Sequence, residues 1–388
     1  MSADWLWWHS ESWGYNMKII NIPLPGNAYP VVVGHGALAG LADLLGKYRL
    51  GTDAVIISNP KVFGLHGRQL QGVLRKAGVS SRVLLVADSE KSKSMATAVR
   101  LIDQVVRYSV GRKCFIVAFG GGVTGDLAGF VAAVTKRGLP FVQVPTTFLA
   151  QIDSSIGGKV AVDLPAGKNL VGAFYHPRFV LADTSFLATL SGRQIRNGLA
   201  EAVKYGIIAD ARLFSFMEKE YRRLVENDLS AITPVVSSCA AIKARIVAAD
   251  EKETRGLRTI LNFGHTIGHA IETTAGYTLY QHGEAVALGM RAAASISVRM
   301  KLLDPMVHFR IETLLSAFGL PESIEGCSLS GILSAMRFDK KFSGKTNRFV
   351  LARDIGDVVV QEGVDSGLIS AVVGKMLIRR QSSRLLSR

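Results

Sequence analysis

The sequence predicts an α/β N-terminal domain with a mostly parallel sheet, followed by a mainly α-helical C-terminal domain. Three observations carry this. Short β-branched runs alternate with amphipathic stretches through the first half, and apolar residues recur at helical spacing almost continuously from about Ser185. The length, 388 residues, suits two domains. Strand–helix alternation covers both faces of a sheet with helices, which favours parallel pairing.

Strands are expected at Pro30–Val33, Ala54–Ser58, Arg82–Ala87, Phe115–Phe119 and Phe141–Val144. Met95, Ala98, Val99, Ile102, Val105 and Val106 form one apolar helical face among them. The apolar stretch Cys114–Val134 carries one charge, Asp126, but five glycines break it into strand, loop and helix, so it reads as a buried α/β segment and not a membrane span. Pro145–Asn169 reads as an unusually long, polar and therefore functional loop. In the second half, Ile195, Leu199, Val203 and Ile207 fall four apart on one face. Helices are expected at Ala231–Ala248, Thr259–Thr274, Ala285–Met300 and His308–Phe318, with a strand pair at Arg348–Ala352 and Asp357–Gln361. This organisation divides the chain into residues 17–184 and 185–388, with the active site expected in the cleft between them. Residues 1–16 are set apart by composition: all four tryptophans lie there, no basic leader or continuous apolar run does, and Met17 is an alternative start. The basic tail RRQSSRLLSR reads as a solvated end.

Lys and Arg outnumber Asp and Glu 46 to 31, a net charge of +15 that favours anionic partners. No aromatic-interleaved basic stripe accompanies the charge, which argues against nucleic acid. Three dispersed cysteines and no C-x-x-C pair point to a reducing, cytoplasmic setting without a disulfide framework or thiolate metal site.

Four segments carry chemistry. In FGGGVTGD (Phe119–Asp126), Gly120, Gly122 and Gly125 satisfy G-x-G-x-x-G after a strand and before a helix, the context in which backbone N–H groups meet a pyrophosphate in Rossmann-like domains. It follows the fourth strand instead of the first and lacks the downstream ribose-binding acid, so a tight turn between packed elements explains it equally well. In the stretch Pro145–Asn169, Asp153, Lys159, Lys168 and Asn169 suit a polyhydroxylated anion. Glu201 and Lys204, three apart on the side of their helix away from the apolar face, read by themselves as an exposed ion pair. In LNFGHTIGHAIE, His265 and His269 are spaced i, i+4, and His282 follows in QHGEA. Without the glutamate beside the first histidine this is not the metalloprotease motif. Three of eight histidines within eighteen residues, near a candidate glutamate, suit catalytic Zn²⁺ with an open position. Spacing leaves open which three of these four groups bind it.

Taken together, GGGVTGD, PTTFLAQIDSSIGGK…GKNLVGAFYHP, LAEAVKYG, KARIVAADEKETRGLRTILNFGHTIGHAIE, HGEAVALGM and FDKK resemble the 3-dehydroquinate synthase family of sugar phosphate cyclases, from about Met17 to about residue 370. The resemblance implies zinc, or cobalt in its place, on Glu201, His265 and His282, with His269 facing substrate. It implies NAD held by Asn59, by Asp88, Glu90 and Lys93 in DSEKSK, by Gly121, Gly122, Val123, Thr124, Gly125 and Asp126 of the glycine loop, and by Thr146, Thr147, Lys159, Lys168, Phe186 and Thr189. The implied substrate set is Asp153, Lys159, Asn169, Lys204, Lys243, Arg258, Asn262, His269 and Lys340, with Lys341 the competitor for the last place. Arg137 resembles a residue reaching the neighbouring subunit's site, which implies a homodimer. Val160 and Asp163 stand where the family more often has Thr and Asn. The implied reaction turns 3-deoxy-D-arabino-heptulosonate 7-phosphate into 3-dehydroquinate and phosphate in the shikimate pathway of aromatic amino acid biosynthesis. The rival readings are another sugar phosphate cyclase and a metal- and NAD-dependent polyol dehydrogenase.

Overall fold

The computed structural model describes residues 17–338 and 346–377. They fall into two compact units: one holds residues up to 198 together with 222–257, the other holds 199–221 and everything from 258 onward.

The first unit is built on a seven-stranded sheet. In chain order its elements are β1 (Lys18–Ile22), β2 (Tyr29–Gly34), α1 (Leu41–Tyr48), β3 (Asp53–Ser58), α2 (Pro60–Lys76), β4 (Ser80–Leu85), α3 (Met95–Tyr108), β5 (Cys114–Gly120), α4 (Gly122–Val134), β6 (Phe141–Pro145), the hairpin β7 (Lys159–Leu164) and β8 (Gly167–Phe174), and β9 (Val180–Asp183). The sheet order is β1-β2-β9-β6-β5-β3-β4, parallel except for the β1–β2 pair. Alternation within the buried strands divides the core in two. Ala54, Ile56, Phe115, Val117 and Phe119 face the layer holding α1 and α2. Val55, Ile57, Ile116 and Ala118 face α3, α4 and the hairpin.

The expected strands are present, but the stretch Pro145–Asn169 is not a loop. A π-helical turn, Ala150–Ser154, leads into β7, and Asn169 lies on β8. Val160 and Val162 enter the core, Ala161 between them is half-buried, and Lys159 before them is exposed. Small and charged residues on the outer face mask this alternation. Val160, one of the two departures, fills the space beside Gly129 in α4, where a Cβ would stand 2.3 Å from its Cγ1.

Helix α5 (Gly192–Ala209) runs across the boundary between the units, and α6 (Ala211–Val225) follows. The chain then returns to the first unit as α7 (Leu229–Ala249), which packs on β1, β2 and the turns 150–154 and 184–189. By length and composition α7 is apolar enough to cross a membrane, and its apolar window is mostly buried against these elements. This return replaces the single boundary expected after residue 184.

The second unit contains α8 (His265–Thr274), α9 (His282–Arg299), α10 (Pro305–Ala317), α11 (Leu329–Phe338), the hairpin β10 (Arg348–Asp354) and β11 (Asp357–Glu362), and α12 (Ser366–Met376). Helix α8 starts later than expected. A 3₁₀ turn, Leu257–Asn262, precedes it, and Gly264 at φ 77° breaks the path between them.

Candidate active site

The first unit gathers polar residues at the carboxyl ends of its strands. The chain forms β4 on one side of β3 and then crosses to form β5 on the other. At such a switch point the connections diverge and open a crevice. Asn59 follows β3, accepts from Val62 N–H (2.9 Å) to cap α2, and donates to Asp88 (3.2 Å). Gly121 precedes α4 with no side chain capping the helix, so the N–H groups of Gly122, Val123 and Thr124 remain for a ligand. The glycines here are closely packed. A Cβ on Gly120 would lie 2.6 Å from Thr124 Oγ1, and one on Gly122 would lie 3.0 Å from Ser154 Oγ. The Oγ atoms of Thr146 and Ser154 are buried without a hydrogen-bond partner among the described residues. An uncapped helix start, crowded glycines and orphaned hydroxyls fit a pyrophosphate.

Around this crevice Lys93 is buried and joins Asp126 (2.5 Å) to Asn169. Asn169, at φ 56°, donates its backbone N–H to Asp163 (2.8 Å), so Asp163, the second departure, retains an acceptor that an asparagine would also offer. Lys168 approaches Glu90 at 3.4 Å. Thr189 meets His66 (3.0 Å), while the Phe186 ring is buried against Phe119 and His66. Thr147 Oγ1 accepts from Ala150 N–H (3.3 Å) at the π-helical turn that carries Asp153. Asp153 pairs with buried Lys243 at 2.7 Å, and Lys159 pairs with Glu253. Arg137 is exposed on a turn where both it and Lys136 have positive φ, 65° and 51°. Gly125 backs onto Gln143, whose side-chain oxygen would stand 2.9 Å from a Cβ there.

The second unit assembles the histidines. Glu201 and Lys204 are not an exposed pair: each is 1% exposed. Tyr205 is fully buried and neighbouring residues of α5 are buried on all sides, so no face of this helix segment is left for water. The Glu201 Oε1 atom lies 3.4 Å from His265 Nε2 and 3.5 Å from His282 Nε2. Tetrahedral zinc with bonds of 2.0–2.2 Å separates its ligand atoms by about 3.4 Å. Among the described residues Glu201 Oε1 accepts no hydrogen bond, and a divalent cation would satisfy it. His265 Nδ1 lies 3.1 Å from the Phe263 carbonyl, which orients Nε2 inward. His269 stands one turn along α8, its ring 5.2 Å from that of His265. Arg258 is buried and Asn262 half-buried on the turn ahead of α8. Lys340 and Lys341 lie outside the described residues.

The charges suit a cation. Burial would raise the Glu201 pKa, but Lys204 and the two histidines outweigh it and hold the carboxyl below its usual range. Burial keeps His265 neutral, against the pull of Glu201. Burial also opposes charge on His282, yet the Glu201 and Glu272 carboxylates beside it push its pKa up to about 10 in the absence of metal.

Backbone packing brings the ligands together. Helices α8 and α9 touch through glycines: a Cβ on Gly289 would stand 1.9 Å from Gly264 O, and one on Gly268 would stand 3.0 Å from Ala285 O. Several site residues escaped the sequence reading. Ser154, Glu253 and Glu272 each lie inside a quoted segment, but only the fold shows what they touch. His269, Glu272 and His282 form a second group whose ligand atoms lie within 4.8 Å of one another, and it shares His282 with the first.

The chain matches known proteins over most of its length. The family model for the 3-dehydroquinate synthase N-terminal domain matches residues 83–197, and that for the C-terminal domain matches 198–342. A 3-dehydroquinate synthase of Pelotomaculum thermopropionicum is 43% identical over 95% of this chain and all of its own length. One of Caulobacter vibrioides is 42% identical over 92% of this chain and 98% of its own. Among solved structures, a 2-deoxy-scyllo-inosose synthase complexed with carbaglucose-6-phosphate, NAD⁺ and Co²⁺ superposes with TM-score 0.85 at 28% identity, covering 93% of this chain and all of that one. A 2-epi-5-epi-valiolone synthase from Streptomyces hygroscopicus subsp. jinggangensis with NAD⁺ and Zn²⁺ bound gives 0.83 at 29%, covering 91% and 98%. An iron-containing alcohol dehydrogenase of Thermotoga maritima shares the fold alone, at TM-score 0.61 and 17% identity over 89% of this chain and 97% of its own. With both domain models matched in succession and relatives aligned over nearly their full length, the chain belongs to the 3-dehydroquinate synthase family.

Proposed function

We propose that the protein is a 3-dehydroquinate synthase, converting 3-deoxy-D-arabino-heptulosonate 7-phosphate into 3-dehydroquinate and inorganic phosphate with NAD and zinc. The observation that carries the reading is the Glu201–His265–His282 group, with 3.4 and 3.5 Å between ligand atoms, in a chain of this family. NAD⁺ with Zn²⁺ or Co²⁺ in two related cyclases supports the cofactor assignment.

When bound, the nicotinamide supplies reversible hydride acceptance and the zinc supplies Lewis acidity at the carbinol oxygen. Net oxidation is zero, and the bond lost is that to phosphate. Asn59, the N–H groups at the start of α4, Thr146 and Thr147 would hold the dinucleotide; Glu201, His265 and His282 would hold the metal. Lys159, Lys204, Lys243 and Arg258 would bind the substrate's carboxylate and phosphate, Arg258 through a fork and the lysines as point charges. Asp153 keeps the Lys243 ammonium in place through their 2.7 Å pair. Asn169 and Asn262 would accept and donate to hydroxyls. This positioning limits the conformers of a flexible substrate. His269 would transfer protons, its ordinary pKa lying near working pH. Lys340 of FDKK completes the substrate set. The protein would act as a cytoplasmic lyase and homodimer, with Arg137 serving the neighbouring subunit's site.

The test is phosphate release from 3-deoxy-D-arabino-heptulosonate 7-phosphate by purified protein, with and without NAD⁺ and a chelator, while net NADH is recorded. Phosphate released without net NADH and abolished by chelation is the expected result. NADH accumulating on simple polyols without phosphate release would move the protein to the dehydrogenases that share its fold.

A further inference from the structure

We infer that Glu272 is a positioning residue for the metal: its carboxylate fixes which nitrogen of His282 faces the ion. The inference rests on the metal reading above. Glu272 lies on the last turn of α8 and is 8% exposed. Its Oε1 lies 3.4 Å from His282 Nδ1, while His282 Nε2 points to Glu201 Oε1. A neutral imidazole carries one N–H, and the nitrogen that binds a metal must be the other. An acceptor at Nδ1 therefore leaves the Nε2 lone pair for the ion. His265 has the same arrangement with a different acceptor, its Nδ1 meeting the carbonyl of Phe263. Two ligand histidines on two helices are thus both turned Nε2-inward, each by a buried oxygen behind it.

His282 needs this help more than His265 does. It is the first residue of α9 and its side chain is 31% exposed, against 11% for His265, so packing alone restrains the ring less. The helix start is itself held, with Glu284 Oε2 accepting from Gln281 N–H at 2.8 Å. Backbone position is then set by the cap and ring orientation by Glu272.

The experiment measures zinc affinity of the full-length apoprotein by competition with a chromophoric chelator, for wild type, Glu272→Gln and Glu272→Ala. Thermal midpoints are recorded with and without zinc. The wild type binding zinc tightly confirms the metal reading independently of Glu272; failure to bind would remove that reading instead. Glu272→Ala is expected to weaken zinc about 10–100-fold, as loss of an outer-shell partner typically does. Glu272→Gln keeps a neutral acceptor at Nδ1 and is expected to lose about half of that effect on a logarithmic scale, since a charge-assisted hydrogen bond is about twice as strong as a neutral one. The zinc-induced rise in midpoint should shrink in the alanine variant. Equal zinc affinity in wild type and Glu272→Ala overturns the inference, as does an alanine variant whose midpoint falls equally with and without zinc. Equal loss in the glutamine and alanine variants also overturns it, since it would make Glu272 a ligand within the alternative His269–Glu272–His282 group.

Discussion

Gly289→Ala tests whether the contact between α8 and α9 sets the metal geometry. The added Cβ would stand 1.9 Å from Gly264 O, and real Cβ atoms essentially never approach within 3.0 Å. The backbones must therefore separate by about 1.1 Å, and the carbonyl is main chain that cannot swing aside. His282 lies seven residues before Gly289 on the same helix, about 10 Å along its axis. A helix moving as a body carries most of that displacement to His282, whereas zinc tolerates ligand distances within about 0.2 Å. Overpacking of this kind costs about 1–3 kcal/mol of stability. Zinc affinity should fall at least tenfold, about 1.4 kcal/mol. Denaturant unfolding of the apoprotein gives the first number and chelator competition gives the second. Gly46→Ala is the control: it sits in α1, nothing lies within 4 Å of its Cβ, and it should bind zinc normally with unchanged or higher stability. If Gly289→Ala bound zinc like wild type, the helix contact would not be what places His282.

Three further outcomes are expected. A raised His282 pKa means that the folded apoprotein keeps a proton the unfolded chain releases above pH ~6.5. Its contribution to stability is complete below ~6.5 and fades as pH climbs to about 10, so metal-free thermal midpoints should decline over that window. Because a ligand imidazole must be neutral, zinc binding at pH 8 should expel about one proton, measurable by calorimetry in buffers of different ionisation enthalpy. His269→Asn should lower phosphate release by about 10²–10⁴-fold with zinc stoichiometry unchanged; near-normal release would remove its proton-transfer role.

The parallel sheet was legible because β3 and β5 are continuous apolar runs, the pattern of strands covered on both faces. The glycine loop was legible as strand–glycine–helix, and the histidines as a close-spaced group. The β7–β8 hairpin was not, because Lys159, Ala161 and Asp163 alternate with the two core valines and give the segment a loop-like composition. Glu201 and Lys204 were misplaced in the environment for a similar reason. Periodicity finds one apolar face, but a helix enclosed all round has no solvent side, and two charges that neutralise one another can occupy its interior. Glu272 was invisible as a functional group because its partner lies on another helix, ten residues on, across a turn whose geometry spacing does not specify.

The return of the chain through α7 has a consequence for synthesis. The strands β1 and β2 are made first, yet the helix that packs on them ends at Ala249. At ribosomal rates of about 5–20 residues per second, β2 waits about ten to forty seconds for its cover. During that interval the apolar edge of the sheet is a ready surface for a chaperone. Cutting the gene after residue 198 would make the exposure permanent, and since each unit takes two stretches of the chain, no single cut separates them into two expressible halves.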